Sequence, residues 1–288
     1  MAEVIESVKV TPSGQGCGAS VTGVDISQPL SEETVAEIRE AWLKHHVLAF
    51  PNQKLDHDQF ERFAGYFGEF GDDPFFNPLP GRQHIAAVRR EADDTSPIFA
   101  EYWHSDWSFL PEPPSATFLY SIEIPPLGGD THFSNQHLSY EQMPADLKSK
   151  CESLTAVHSA ALGYAPDTGA YATKEKMGSM DIKVSEEALK RERHPLIATH
   201  AETGRKGLLS GVSYWVGFEN AEDGTAMSDE EAFAFGMQLN EWQTKEEFMY
   251  VHKWEEDMLV MWDNRSTVHK ANGGYEGHRR ELHRITIY

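Results

Sequence analysis

The chain contains few cysteines, no long apolar runs and relatively few basic residues, and each of these features excludes a class of protein. Its 288 residues include 2 cysteines, Cys17 and Cys151, too few for a disulfide framework, which predicts reduced thiols and a cytoplasmic protein. No apolar run reaches the roughly eighteen residues of a transmembrane helix, so no membrane span is expected. Residues 1–6 lack the basic and apolar regions of a secretory signal.

Basic residues are outnumbered, with 25 Lys and Arg against 46 Asp and Glu and a formal net charge of −21. Nucleic acids and anionic membranes bind through basic patches, so neither is expected as a partner. Residues 14–18 are rich in glycine but lack the GxGxxG spacing of a nucleotide loop. A small anion could still bind where a few arginines converge, and the sequence is compatible with a homo-oligomer.

The sequence that remains is rich in strand-like runs. Hydrophobic residues make up 40% of the chain and aromatic residues 11%, and no repeat or low-complexity stretch divides it, which predicts one domain over residues 1–288. Strands are predicted over 47–50, 84–88, 116–124, 154–158, 207–209, 248–252, 258–262 and 282–288. This pattern predicts a β-rich α+β protein, a double-stranded β-helix (jelly roll) with flanking helices.

Helices are predicted over 31–45, 56–69, 145–152 and 228–243. Ser31 is a candidate N-cap of the first, and Phe60, Phe63 and Phe67 give the second a buried face. Residues 160–195 are polar and contain several glycines, and such a long irregular segment is often functional, so we expect a lid there.

The chemistry is concentrated in His104, Asp106 and His269. Two imidazoles and a carboxylate are the ligand set of a facial triad, which holds Fe(II) on one side and leaves the other side open. On a strand, positions two apart face the same side, so His104 and Asp106 can reach one metal. The same set also describes a zinc hydrolase with an open coordination position, and that alternative stays open.

Thr131 and Arg280 favour iron over zinc. A hydroxyl and a fixed cation are suited to holding a carboxylate, and a zinc hydrolase has no need of this second anion site. Arg284 lies four residues after Arg280, so on a strand both side chains face the same cleft, whereas Arg279 and His283 face the other way. These residues indicate an iron enzyme with a dicarboxylate co-substrate.

Several segments together resemble the taurine dioxygenase and aryloxyalkanoate dioxygenase family of Fe(II)/2-oxoglutarate enzymes. They are, in order, Gly18-Ala19-Ser20-Val21-Thr22-Gly23-Val24-Asp25, Trp103-His104-Ser105-Asp106-Trp107-Ser108-Phe109, Pro125-Pro126-Leu127-Gly128-Gly129-Asp130-Thr131, Met261-Trp262-Asp263-Asn264-Arg265 through His269, and Arg279-Arg280-Glu281-Leu282-His283-Arg284. Each segment alone is weak evidence for the resemblance. Together and in this order, however, the segments span nearly the whole chain.

The resemblance implies a jelly-roll fold and a role for each candidate residue. His104, Asp106 and His269 would hold Fe(II), while Thr131 and Arg280 would bind the distal carboxylate of 2-oxoglutarate, which is consumed together with O2. Arg284 would bind the acidic group of the prime substrate. We expect Trp107 and Phe109 to contribute to an apolar substrate pocket.

The implied reaction is hydroxylation of a small anionic organic substrate, which can go on to cleave a bond. Taurine-specific members carry an asparagine at the position of Ala100, which favours an aryloxyalkanoate-like carboxylate over taurine. A taurine-like sulfonate is the alternative. Two other hypotheses about the function are a zinc hydrolase and a non-catalytic jelly roll that binds an organic acid.

Overall fold

The computed structural model describes residues 8–288, so residues 1–6, for which no secretory signal is expected, lie outside the described part. The strands are β1 (Lys9–Pro12), β2 (Ala19–Thr22), β3 (Val47–Phe50), β4 (Ala86–Arg90), β5 (Ala116–Glu123), β6 (Thr131–Asn135), β7 (Leu154–His158), β8 (Glu192–Pro195), β9 (Ile197–Thr199), β10 (Lys206–Leu208), β11 (Trp215–Asn220), β12 (Met249–His252), β13 (Leu259–Asp263), β14 (Thr267–Ala271) and β15 (Arg280–Ile287). The α-helices are α1 (Glu32–His45), α2 (His57–Ala64), α3 (Gln136–Glu141), α4 (Ala145–Glu152), α5 (Ala161–Tyr164), α6 (Lys174–Met177) and α7 (Asp229–Gln243).

The largest sheet has seven strands in the order β1-β2-β3-β13-β5-β15-β4. Its neighbours are antiparallel except for the parallel pair β2 and β3. Alternate positions of the central strands face opposite sides, as the pleat requires. Phe118, Met261 and Ile285 therefore face one side, whereas Leu119, Val260 and Leu282 face the other.

Helices α1 and α2 cover the first side of this sheet. Trp42 of α1 and Phe60 and Phe63 of α2 are buried in one cluster with the strand residues Phe118 and Met261. Ser31 caps α1 by accepting a hydrogen bond from the backbone N–H of Thr34, as its sequence position predicts. This apolar layer fixes the outer side of the sheet and leaves the inner side for chemistry.

The inner side of the large sheet packs against a three-stranded sheet of order β12-β6-β14. Phe133 of β6 is buried in the same cluster as Val260, Trp262 and Leu282. Further sheets, β11-β7-β8 and β10-β9, extend the fold beyond this sandwich. Two facing sheets with helices on the outside confirm the predicted jelly roll, and the space between the sheets is where a site can form.

The predicted elements are present with shifted ends, and the helix predicted over 56–69 shows the largest shift. That helix ends at Ala64, because the backbone then tightens: Tyr66 N donates to Phe63 O and Phe67 N to Ala64 O, both across three residues. Gly68 follows, where a Cβ would lie 2.5 Å from the carbonyl oxygen of Tyr288. Phe67 is nevertheless buried in the predicted cluster.

Residues 160–195 contain more regular structure than their composition indicates. They include α5, α6, a 3₁₀ turn at Glu186–Leu189 and strand β8. Tyr164, Met180 and Ile182 bury their side chains in a cluster with Phe75 and Trp107. No helix within residues 8–288 combines the length and the apolar character that a membrane crossing would need.

Candidate active site

An antiparallel bridge and a turn in the backbone bring His104, Asp106 and His269 together. His104 and His269 form a single antiparallel bridge, with His104 N donating to His269 O at 3.0 Å and His269 N to His104 O at 2.8 Å. After this bridge the chain turns, and Trp107 has a φ of 48°. The strand geometry considered for His104 and Asp106 therefore does not apply, because a bridge at His104 and the turn that follows it direct both side chains to one point.

The three side chains form a possible metal site. Their ligand atoms all lie within 4.8 Å of one another and all three residues are buried. Oδ1 of Asp106 lies 3.6 Å from Nε2 of His104 and 3.9 Å from Nε2 of His269. Nδ1 of His104 lies 2.8 Å from the carbonyl oxygen of Tyr102, and a proton on Nδ1 leaves the Nε2 lone pair free for a metal. Two imidazoles and one carboxylate converging in this way fit Fe(II).

The protonation states of these side chains suit a cation. Burial by itself would raise the pKa of Asp106, but the Arg284 guanidinium and the imidazoles of His269 and His104 hold it well below its usual range. Burial, reinforced by His104, lowers the pKa of His269 to about 3. At neutral pH the site therefore offers an ionised carboxylate and a neutral imidazole, the forms that bind metals.

A narrow cavity of about 70 Å³, which we call the inner cavity, opens beside the three side chains. Its walls include Thr131 and Arg280 as well as Arg284, so all six polar residues expected at the site line one space. The predicted alternation of β15 is confirmed, because Arg279 binds Glu91 and Glu123 on the other side and His283 pairs with Glu281.

Arg280 is buried and free of carboxylate partners among residues 8–288. Its Nη2 donates to the carbonyl oxygen of Gly129 at 3.1 Å, while its Nε has no hydrogen-bond partner. Gly129 follows Gly128 in a tight turn. A Cβ on Gly128 would lie 2.4 Å from the carbonyl oxygen of Gly274, so the turn requires glycine there. Arg280 is therefore a buried cation left to bind an anion.

Arg284 has a different environment. Its Nη2 lies 3.3 Å from Oδ2 of Asp106 and its Nη1 lies 3.7 Å from Oδ2 of Asp73. The guanidinium carbon stands 4.5 Å from the centre of the Trp107 ring. Burial raises the pKa of Asp73 to about 6, against the opposing charge of Arg284.

Trp107 and Phe109 lie behind the cavity wall. Both are buried in an aromatic cluster with Phe75, and neither lines the inner cavity. Trp107 supports Arg284, so its direct contact with a substrate stays a prediction. Ala100, by contrast, lines the cavity beside Phe99, as the apolar pocket requires.

Three residues with a place at the site were not singled out from the sequence. Nε1 of Trp254 donates to Oγ1 of Thr131 at 3.0 Å, Thr117 bonds to Asp106, and Asp73 faces Arg284. Thr117 lies two positions before the cavity residue Leu119 on β5, so strand alternation could have found it. Asp73 stands in a loop before a proline, where no periodicity points to a site.

A wider cavity of about 660 Å³, which we call the outer cavity, adjoins the inner one. The two share Phe99, Ala100, His104 and Tyr171 as wall residues. Leu162 and Tyr164 of the 160–195 segment line the outer cavity, and Met177 and Met180 line the inner one. The two cavities therefore meet beside His104, one of the three possible metal ligands.

Comparisons with known proteins agree with this geometry. Residues 9–286 match the family model described as "Taurine catabolism dioxygenase TauD, TfdA family". The chain is 33% identical over 275 residues to an alkylsulfatase of Acinetobacter baylyi, covering 94% of this chain and 81% of that protein. It is 32% identical over 300 residues to an alpha-ketoglutarate-dependent 2,4-dichlorophenoxyacetate dioxygenase of Cupriavidus pinatubonensis, covering 97% of each.

The fold has solved counterparts as well. The crystal structure of a taurine dioxygenase from Burkholderia xenovorans superposes with a TM-score of 0.77 at 29% identity, covering 98% of this chain and 89% of that one. The likeness therefore extends over nearly the whole chain, including both facing sheets and the residues between them.

Proposed function

The chain belongs to the TauD/TfdA family and is a 2-oxoglutarate-dependent dioxygenase, and from this premise we propose that it hydroxylates a small anionic organic substrate. The observation that carries the proposal is the shared inner cavity, which joins a buried set of two imidazoles and a carboxylate to two buried guanidinium groups. Arg280 is suited to binding the dicarboxylate co-substrate, and Arg284 is suited to binding the acidic group of the substrate.

His104, Asp106 and His269 would hold Fe(II) through Nε2, Oδ1 and Nε2. When bound, iron supplies the activation of O2 that couples oxidative decarboxylation of 2-oxoglutarate to hydroxylation. The protein's part is to present three ligands from one side and to leave the cavity side open for the co-substrate. All three side chains are buried, so the ligands reach the metal from the protein interior.

Thr131 and Arg280 would bind the distal carboxylate of 2-oxoglutarate. Oγ1 of Thr131 already accepts a hydrogen bond from Trp254, so its own proton is free to be donated to a carboxylate oxygen. Arg280 adds a charged donor that has no other anion to bind among the described residues. A hydroxyl and a guanidinium on adjoining walls thereby set the direction in which a dicarboxylate lies.

Arg284 would bind the acidic group of the prime substrate, and the apolar walls would bind the rest. Val88, Phe99 and Leu119 line the inner cavity, and Leu162 and Tyr164 line the outer one. Ala100 supplies no amide for an amine group. These walls favour an aryloxyalkanoate-like carboxylate, while a taurine-like sulfonate or an alkyl sulfate remains the second candidate because relatives named for each exist.

Residues 160–195 would act as a lid over this substrate, because they contribute wall residues to both cavities. We also propose a cytoplasmic location, supported by the two free cysteines, Cys17 and Cys151, which are both buried.

The experiment that tests the proposal measures O2 uptake and succinate release with Fe(II) and 2-oxoglutarate present or omitted. Phenoxyacetates, taurine and other sulfonates, and medium-chain alkyl sulfates are compared as substrates. We expect substrate-stimulated succinate release, with the largest stimulation by a phenoxyacetate. Release of product without Fe(II) or 2-oxoglutarate would support a hydrolase, and binding of the acids without turnover would support a non-catalytic protein.

The matched variant for this experiment is Asp106→Ala. Loss of one of three protein ligands, and of its charge, should reduce coupled turnover by at least about a hundredfold. The circular dichroism spectrum should stay the same. Near-normal turnover in the variant would remove Asp106 from the site.

A further inference from the structure

The two oxygens of the Asp106 carboxylate have separate surroundings. Oδ1 faces the two imidazoles of the possible metal site, whereas Oδ2 accepts a hydrogen bond from Oγ1 of Thr117 at 2.6 Å. Both side chains are buried. The Arg284 guanidinium also lies near Oδ2, but its Nη2 makes no hydrogen bond among residues 8–288. Thr117 is therefore the side chain among residues 8–288 that hydrogen-bonds to Oδ2.

The direction of the Thr117 hydroxyl is itself determined. Nδ2 of Asn264 lies 2.9 Å from Oγ1 of Thr117, and an amide nitrogen can only donate. The hydroxyl accepts that bond and has one proton left, which goes to Asp106. Thr117 thus acts as a donor toward the carboxylate.

The orientation of the Asn264 amide is fixed by groups that cannot accept. Its Oδ1 accepts from the indole Nε1 of Trp262 at 3.0 Å and from the backbone N–H of Asp106 at 3.4 Å. A flipped amide would place its NH2 against these two donors, so the observed orientation is the only satisfied one. A one-directional chain of donors runs from the Trp262 indole through Asn264 and Thr117 to Oδ2 of Asp106.

We propose that Thr117 and Asn264 are positioning residues for the metal-binding carboxylate, which they hold with Oδ1 toward the metal and Oδ2 away from it. This inference rests on the proposed function in one respect, that Asp106 binds the metal. Outer partners that orient a metal ligand typically contribute about ten- to a hundredfold to metal affinity. Because these groups touch neither substrate nor metal, their effect should appear in metal binding itself.

The test is the affinity of the purified full chain for Mn(II), measured without 2-oxoglutarate by the electron paramagnetic resonance signal of the free ion. Thr117→Val removes the hydroxyl at nearly constant shape and should weaken Mn(II) binding about ten- to a hundredfold. Thr117→Ser restores a hydroxyl and should bind within about threefold of the wild type. Thermal unfolding and circular dichroism verify that each variant is folded.

The matched control is Thr286→Val. Thr286 is paired with Thr117 in register on the adjacent strand and is buried, and within residues 8–288 its hydroxyl makes no hydrogen bond to Asp106. Mn(II) affinity should not change in this variant. If Thr117→Val does not fold, Thr117→Ala replaces it in the comparison with Thr117→Ser.

The Asp106→Ala variant distinguishes failure of the metal assignment from failure of the positioning role of Thr117. If Asp106→Ala binds Mn(II) as the wild type does, the metal assignment and with it the proposed function are wrong. If Asp106→Ala loses Mn(II) but a folded Thr117→Val or Thr117→Ala binds it normally, the metal site stands and the positioning role of Thr117 is overturned. Equal losses in Thr117→Ser and Thr117→Val would also overturn it, because the hydroxyl would then not be the cause.

Discussion

Arg280 and Arg284 are the same residue type on the same side of one strand, yet their electrostatic surroundings differ. Arg280 donates to a backbone carbonyl and has aromatic rings of Trp254 and Tyr275 nearby. Arg284 stands between the carboxylates of Asp73 and Asp106. Arg280 is thus the stronger anion receptor, and Arg284 offers a charge that is already compensated in part.

We expect Arg280→Ala to raise the 2-oxoglutarate concentration needed for turnover. Losing a desolvated charge-assisted pair costs about 2–5 kcal/mol, or roughly thirty- to several-thousandfold in affinity. Arg280→Lys should recover only part, because an ammonium cannot form the bidentate fork. The measurement is the apparent KM for 2-oxoglutarate.

Arg279→Ala is the control for this prediction, since that neighbour faces away and binds Glu91, Glu123 and Glu281. Its KM for 2-oxoglutarate should stay within about twofold of the wild type, as expected for a partly exposed ion pair. An unchanged KM in Arg280→Ala would move the co-substrate role to another cation, with Arg284 the next to test.

Asp73 predicts a pH dependence for substrate binding. Its pKa of about 6 means that the carboxyl is largely ionised at pH 7.5 and largely neutral at pH 5.5, where Arg284 loses most of one compensating charge. An anionic substrate should therefore bind about 3- to 30-fold more tightly at the lower pH, as expected from one charge a few ångströms away. Calorimetric titration of the Mn(II)-loaded protein with 2-oxoglutarate present measures this shift.

Asp73→Asn should remove the pH dependence and bind the anion tightly at both pH values. The neighbour Asp72 is exposed, so Asp72→Asn should behave like the wild type. A wild-type affinity that stays flat between these pH values, or an Asp73→Asn variant that keeps the dependence, would show that another group near Arg284 controls binding.

At the scale of elements, the alternation of side chains along strand β15 separates cavity-lining residues from an ion pair on the opposite side of the sheet. All its residues are buried, but Arg280, Leu282 and Arg284 line the inner cavity while Glu281 and His283 pair with each other on the other side. Because the side-chain period is two, a register slip of one residue would exchange these two sets. Pairing with β4 and β5 on both edges prevents that slip.

The 160–195 segment should respond to ligands as a unit. We expect hydrogen exchange across it to slow several-fold when 2-oxoglutarate and a substrate bind, because the ligands would fill the cavities that its side chains line. Helix α1 serves as the internal reference, since it packs on the outer side of the large sheet and contributes no wall residue to either cavity. Equal exchange with and without ligands would mean that the segment is a fixed wall, not a lid.

At the scale of the whole molecule, buried neutral histidines make the fold sensitive to acid. Burial lowers the pKa of His46, His158, His252 and His269 to about 3 each. In the unfolded chain these groups titrate near about 6.5, so the unfolded state takes up protons first as the pH falls. The stability they contribute is complete above that value and is lost as the pH falls from about 6.5 toward 3.

We expect the free energy of unfolding to decrease by up to about 8 kcal/mol between pH 7 and pH 5, with each of the four histidines contributing up to about 1.4 kcal/mol per pH unit below about pH 6.5. Urea unfolding in the presence of a chelator measures this slope. Below pH 5, neutralised carboxylates ease the repulsion of the −21 charge and act in the other direction.

His158→Gln should reduce the slope, and His278→Gln should leave it unchanged, because His158 is buried and His278 is exposed. A wild-type stability that does not change between pH 7 and pH 5 would contradict the buried-neutral assignment.

The sequence by itself determined the features that follow from short-range rules and from the order of its motifs. Helix α1 with its Ser31 cap and the alternation of Arg280 and Arg284 were predictable because capping and pleat depend on neighbouring residues. The three possible metal ligands were predictable because their residue types match a known ligand set in a recognisable order.

Only the tertiary structure decided how those ligands are held and what compensates their charges. The bridge between His104 and His269 joins residues 165 positions apart, and no local preference predicts the turn that follows it. Thr117, Asn264 and Asp73 reach the site from three separate segments, and their roles depend on hydrogen bonds and ion pairs that exist only after the sheets pack. Contacts at such sequence separation arise from packing, and this is why the composition and periodicity of the chain could not predict them.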